Sequence, residues 1–312
     1  MKNLEKVSCV CPDRADLTLK DNKLICTNEN CIHSDTRNGF RVINNVPVLI
    51  SDMVTDTMFS SESVESYVAR KKDSLLVRII RKMSNGGASQ TKKNCRDLID
   101  LLNENSSRSE ILVIGSGEIG NGTDAMFDND SLDITGTDVY LSDNVDYVSD
   151  AHYLPFKSNS FDAVWIQAVL EHVLEPEKVV SEIHRVLKRD GYVYAETPFM
   201  QQVHEGAYDF TRFTVLGHRY LFKSFRLIKM GGNRGAGSAL AWSVRYFFWA
   251  LFRNRILAKI LSLPFSIILR FLDGLISKES LYDSSSGVFF LGVKSNKIIS
   301  KTELVTLYKG MQ

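Results

Sequence analysis

The chain has 312 residues, 44% hydrophobic and 24% charged, the profile of a globular protein that can bury a proper core. Its net charge of +1 lacks the basic excess of a dedicated nucleic-acid binder, although a local basic patch is compatible with it. The opening MKNLEKVSCVCPDR carries no apolar run of signal-peptide type, so a cytoplasmic chain is expected.

Four of the five cysteines, Cys9, Cys11, Cys26 and Cys31, fall in the first tenth of the chain. In a reducing compartment such a cluster reads as metal ligands more readily than as disulfides. Two knuckles, Cys9/Cys11 and Cys26/Cys31, supply four thiolates for a structural zinc, which would hold together a module too small for its own core. Four protein ligands leave no open position for catalysis. His33 is an alternative ligand, and a metal-free remnant is the competing reading. The strand-like GFRVINNVPVLI (39–50) closes this module over residues 1–51. Residues 52–108 read as linker and helices: helical spacing over 74–83, a flexible break over 84–90, and a helix over 95–105 holding Cys95 as a buried thiol.

From Ile111 onward, apolar strands alternate with amphipathic helices, which predicts an α/β fold with a doubly wound, mostly parallel sheet. Strands are expected at 111–115, 133–139, 146–149, 161–167 and 191–198, with a helix over 175–191 that starts at Pro176 and is capped by Gly191. Strands at 225–231 and 287–295 complete the sheet, so the main domain spans 109–234 and 287–296. Residues 235–286 are too long for a hairpin loop and read as a helical insertion, and 297–312 as a tail.

GSGEIG (115–120) follows a strand, where glycines let the backbone approach a ligand; alone it fits a tight turn as well as a nucleotide site. Asp138, at the end of the second strand, is placed to accept both hydroxyl hydrogens of a ribose. SDAHYLPFKSNSFDAVWIQAVLEHV (149–173), with RVLKRDGYVYAETP after it, resembles the class I S-adenosylmethionine-dependent methyltransferases of type 11. The resemblance covers residues 110–198 and implies a Rossmann-like seven-stranded sheet and an S-adenosyl-L-methionine site. It implies Gly115, Ser116, Gly117 and Gly120 as the cofactor loop, Asp150 as acceptor of the adenine amino group and Ala151 as a backbone donor. Leu170 and Glu171 would flank the methyl donor. The first motif departs from the family: Val113 stands where an acidic residue is usual, Ile119 stands at the third glycine, and Gly120 follows one position late. The N-terminal segment resembles the Trm112-like zinc ribbons, with one and four residues inside the cysteine pairs instead of two.

His172 follows the fourth strand, where this fold presents residues to ligands, and reads as a base or as a helix-packing residue. PFMQQVHEGAYDFTRFT (198–214) and GHRYLF (217–222) set ionisable groups among aromatics beside the cofactor edge. His204 and Glu205 are candidate bases, and Tyr208, Asp209, Arg212 and His218 candidate acceptor contacts; an ion-paired loop is the competing reading. Residues 239–271 hold five basic and no acidic residues among aromatics, with no uncharged run long enough to cross a bilayer. An interfacial helix touching the inner face of the membrane, or a packed helical pair, would use this segment.

The expected function is methyl transfer from S-adenosylmethionine to a small-molecule, glycan or lipid-linked acceptor. A non-catalytic methyltransferase-like scaffold, suggested by Val113, and a tRNA or protein methyltransferase, suggested by the ribbon, are the rivals. A nicotinamide oxidoreductase ranks last.

Overall fold

The computed structural model describes residues 2–66 and 89–312. The helix expected over 74–83, and most of the break expected after it, lie outside these residues. Ser89 and Gln90, placed in that break, are helical.

The N-terminal module is a four-stranded antiparallel sheet of β1 (Leu17–Lys20), β2 (Lys23–Cys26), β3 (Phe40–Ile43) and β4 (Val46–Pro47). Left-handed residues make its tight turns: Asp21 and Asn22 join β1 to β2, and Asn44 and Asn45 join β3 to β4. The module does not stand apart. Val7 bridges Phe156, Val48 bridges Val148, and Cys9, Leu24, Phe40 and Leu49 share one apolar core with Tyr147, Phe156 and Leu112.

After α1 (Ser89–Asn103) come β5 (Ser109–Ile114), α2 (Asp124–Phe127), β6 (Leu132–Asp138), β7 (Tyr147–Val148) and β8 (Phe161–Gln167). Then follow α3 (Pro176–Val186), β9 (Leu187–Pro198), α4 (Val215–Leu221) and β10 (Phe225–Arg234). The sheet order is β10-β11-β9-β8-β5-β6-β7, where β11 (Gly287–Lys294) runs antiparallel to both neighbours and the β9-to-β7 strands are parallel. This is the predicted seven-stranded, mostly parallel α/β sheet. Alternate residues feed its two faces. Leu112, Ile114, Val164, Ile166 and Val193 pack on one, and Ile111, Val113, Trp165 and Tyr194 pack under α1 on the other.

One local expectation fails. The helix ends at Val186 rather than Gly191, and Leu187 already pairs with Phe161. Residues between Leu187 and Tyr192 then bulge, with Asp190 left-handed. Gly191 serves close packing: a Cβ there would lie 3.0 Å from the Lys188 carbonyl oxygen and 3.1 Å from that of Asp162.

Between β10 and β11 the expected helical insertion is an antiparallel pair, α5 (Ala236–Phe252) and α6 (Arg255–Asp273), followed by α7 (Ser280–Ser284). Asn254 caps α6 by accepting from the Ile256 and Leu257 amides. Asp273 reaches back to the start of α5 and accepts from the Gly237 and Ser238 amides. A Cβ on Gly237 would meet the Leu269 carbonyl oxygen at 2.1 Å, so the helices cross closely only because that position is glycine. The tail contributes α8 (Lys301–Thr306).

Candidate active site

The carboxyl ends of β5, β6 and β8 open onto a cleft of about 390 Å3, where an open parallel sheet places its ligands. Its walls include Gly115, Gly120, Asp138, Asp150, Ala151, His172, His204, Glu205 and Tyr208 from the predicted set, together with Phe59 from the N-terminal linker.

Two glycines of the first loop have identifiable reasons. Gly115 has φ +80° and leaves room for Val169, whose Cγ2 would lie 2.3 Å from an added Cβ; at Gly120 the same Cβ would strike the Gln167 amide oxygen. The Gly117 amide donates to Asp138 Oδ2 at 2.8 Å and the Val139 amide donates to Oδ1 at 2.7 Å. This fixes the carboxylate at the mouth of the cleft. Ser116 is buried beneath the loop, against Gly136, and does not reach the cleft wall.

Asp150 lines the cleft but also holds the structure around it. Its Oδ1 accepts from the His152 amide at 2.9 Å and from the ring Nδ1 at 2.6 Å, and Oδ2 accepts from the Thr57 hydroxyl. Burial raises its pKa, but the His152 and Thr57 hydrogen bonds outweigh that and hold the carboxyl below its ordinary value. Leu170 does not reach the cleft: it is fully buried in the core, since its place in the turn after β8 points it under the sheet end.

Glu171 is also fully buried. Its backbone carbonyl accepts from the Phe210 amide at 2.8 Å, tethering the loop after β9. Its carboxylate accepts no hydrogen bond from another side chain among the described residues, and burial pushes its pKa up to about 8. Two imidazoles converge on it. His172 Nε2 lies 3.6 Å and His204 Nε2 3.9 Å from Glu171 Oε1. His172 Nδ1 donates to the Tyr208 carbonyl at 2.6 Å, which leaves Nε2 with the lone pair. His204 Nδ1 stands 3.1 Å from Asp209 Oδ2, and burial lowers the pKa of both rings, so both are neutral bases near pH 7.

The loop's ion pair is internal. Arg212 donates to Asp209 and to the carbonyls of Gln201, Gln202 and Thr211, so its expected role as an acceptor contact is corrected: its guanidinium shapes the loop. Asp209 likewise faces Arg212 and His204 rather than a ligand. His218 is corrected as well. It is 1% exposed on α4, packed against Phe222, with no hydrogen bond to either ring nitrogen among the described residues, and lies outside both cavities. Its helical spacing from Thr214 turns it into the core.

A second cavity of about 720 Å3 adjoins the first and shares Asn121, Gln167, Ala168 and His204 with it. It lies between the ends of β9–β11 and the α5–α6 pair, and Arg234, Arg245, Lys259 and Arg270 line it. The sequence reading missed Arg234 and Glu196, because only the sheet order brings them beside the insertion. Glu196, two residues before the end of β9, accepts from Tyr194, Thr91 and Asn233.

Among the described residues, two groups of side chains bring potential metal ligands close together. The sulfurs of Cys9, Cys11, Cys26 and Cys31 lie within 4.8 Å of one another, all buried, and so do ligand atoms of Glu171, His172 and His204. The cysteine set is all sulfur and enclosed, which fits tetrahedral zinc once the thiols lose their protons to it. His33 is not part of it: Nδ1 bonds the Asn38 carbonyl and Nε2 the Ser51 hydroxyl.

Residues 112–195 match the model of a methyltransferase domain family, the type 11 methyltransferases. A 103-residue stretch is 33% identical to the ubiquinone/menaquinone biosynthesis C-methyltransferase of Pseudoalteromonas translucida, covering 28% of this chain and 41% of that protein. A 70-residue stretch is 40% identical to the demethylmenaquinone methyltransferase of Clavibacter sepedonicus, covering 22% and 29%. Among solved structures, the Haemonchus contortus phosphoethanolamine N-methyltransferase 2 with S-adenosyl-L-methionine aligns over 65% of this chain and 53% of its own, at 18% identity and TM-score 0.41. The chain spans less than half the length of the curated relatives it matches. Its centre is a methyltransferase domain.

Proposed function

We propose that the protein transfers a methyl group from S-adenosylmethionine to an acceptor held in the second cavity. The observation that carries this reading is His204, which lines both cavities and so stands where donor and acceptor would meet. The glycine-floored cleft with Asp138 at its mouth fits the adenosyl ligand: Asp138 would hold the ribose, and Ala151 and Asp150 the adenine edge. When bound, the sulfonium supplies an activated methyl group, so the protein has mainly to align the acceptor and exclude water.

His204 would take the acceptor's proton at Nε2, with the Asp209 carboxylate beside Nδ1 stabilising the resulting imidazolium. His172, fixed by the Tyr208 carbonyl, and buried Glu171 complete the wall, and Glu205 lies alongside. The four cysteines would hold a structural zinc. The test of the reading is turnover of S-adenosylmethionine to S-adenosylhomocysteine with candidate acceptors. His204→Asn should lower it by about 10^2- to 10^4-fold; full turnover by that variant would remove His204 from the chemistry.

The α5–α6 pair also supports contact with an anionic bilayer. No described helix is long and apolar enough to cross a membrane. Yet Phe247, Leu251, Ile268, Phe271 and Leu275 are exposed, Phe271 by 77%, and exposed Arg253 and Arg255 sit at the turn between the helices. Such a face buries its apolar side chains at the headgroup boundary with cations beside lipid phosphates.

A further inference from the structure

We propose that the second cavity binds a phosphate or diphosphate group of the acceptor, gripped by Arg234, Arg245 and Arg270. This rests on the methyltransferase reading only for the word acceptor; the anion site stands on the cavity alone.

Three guanidinium groups and Lys259 line one cavity. Among the described residues no salt bridge joins Arg234, Arg245 or Arg270 to an acid. Arg270 Nε and Nη1 are buried and have no hydrogen-bond partner among the described residues. A buried donor without an acceptor costs free energy, and a buried cation among like charges costs more. Burial, with Arg234 and Arg245 nearby, pushes the Arg270 pKa down to about 10, so the group stays charged at neutral pH.

Asp273 attracts Arg270 and Glu196 attracts Arg234, but each of these acids already has other partners. Asp273 is engaged by the Gly237 and Ser238 amides and the Ser238 hydroxyl at the start of α5. Glu196 is held by Tyr194, Thr91 and Asn233, and Glu171 faces the two histidines. A single carboxylate ligand would leave most of this charge uncompensated. A phosphate or diphosphate offers several negative oxygens to several planar forks, the match for which arginine is suited. The same two helices also line the cavity with apolar side chains, Trp242, Ile256, Ile260 and Leu263, and Arg245 stacks over Trp242 with 5.5 Å to the ring centroid. The ligand is therefore amphiphilic: a phosphate group at the arginines, an apolar portion along α5 and α6, and the methylated group toward His204.

Calorimetric titration of the full chain with inorganic pyrophosphate and with farnesyl diphosphate, at matched ionic strength, tests this. Both should bind, and Arg270→Gln and Arg234→Gln should each weaken binding by about tenfold or more. Tighter binding of farnesyl diphosphate assigns the site to a lipid phosphate, and equal binding to a soluble phosphate. S-Adenosylhomocysteine titrated into each variant reports whether it has folded. Failure of wild type to bind either anion while still binding S-adenosylhomocysteine overturns the anion site and leaves the methyltransferase reading standing. Unchanged affinity in both folded variants overturns it too. Anion binding without adenosyl binding would uphold the site and sink the other reading.

Discussion

His172 and His204 stand edge to face with ring centroids 5.0 Å apart, both Nε2 atoms turned toward the carboxylate of Glu171. His172 comes from the turn after β8 and His204 from the loop after β9, and the two segments are joined by the hydrogen bond from Phe210 to the Glu171 carbonyl. Breaking one side of this arrangement should therefore affect rate more than fold. His204→Asn is expected to lower kcat by about 10^2- to 10^4-fold, the usual range for a lost general base. His172→Asn should cost less, and melting temperatures of both variants should stay near wild type.

Asp138 fixes the mouth of the cleft through the Gly117 and Val139 amides. Its loss should remove charge-assisted hydrogen bonds to a ribose, each about 1.5–3 kcal/mol. Asp138→Ala should weaken S-adenosylhomocysteine by roughly ten- to a hundredfold by calorimetry. Unchanged affinity would remove Asp138 from the ribose site.

His218 predicts an acid sensitivity of the fold. Burial holds its folded pKa down at about 3, against about 6.5 in an unfolded chain. Between these values the unfolded state binds the extra proton, so stability rises with pH there, is fully present above about 6.5, and falls as the pH drops below it. At pH 5 this one group removes about 2 kcal/mol. His218→Leu should lose less melting temperature than wild type between pH 7.5 and pH 5. Equal losses would place the sensitivity elsewhere.

The residues alone announce the sheet more fully than the side chains gathered around His204. The sheet, the glycine turn at Gly115 and the place of Asp138 were legible, because each depends on short-range periodicity or on a strand end. The side chains around His204 were only partly so. Arg212 and His218 read as ligand contacts from their chemistry, yet one is held by four loop residues and the other is turned into the core by helical phase. The second cavity was invisible, since Arg234 ends β10 while Arg245 and Arg270 sit on two helices folded back over it. Gly191 showed the same limit: it read as a helix cap and serves instead in a bulge between β8 and β9.

The cysteine cluster should contain zinc in the purified protein, near one ion per chain by elemental analysis. Cys31→Ser should reduce that content and the melting temperature, by about 2–4 °C for each kcal/mol lost. Because the cysteines share a core with Tyr147 and Phe156, the loss should be felt in the main domain rather than in the module alone. Zinc-free protein with wild-type stability would assign the cluster to thiols packed as apolar groups.

Vesicles containing phosphatidylglycerol should co-sediment the protein at low salt, and phosphatidylcholine vesicles should not. Phe271→Glu with Leu275→Glu, both positions 77% exposed, should release it. Retention of that double variant would assign the binding to the basic residues alone.

The central claim is that the cleft at the ends of β5, β6 and β8 is an S-adenosylmethionine site. Thermal-shift titration of the full chain with S-adenosylmethionine, S-adenosylhomocysteine and NAD tests it most directly. Both adenosyl ligands should raise the melting temperature saturably, with a smaller rise in Asp138→Ala, and NAD should leave it unchanged. Stabilisation by NAD alone, or no response to either adenosyl ligand, would contradict it.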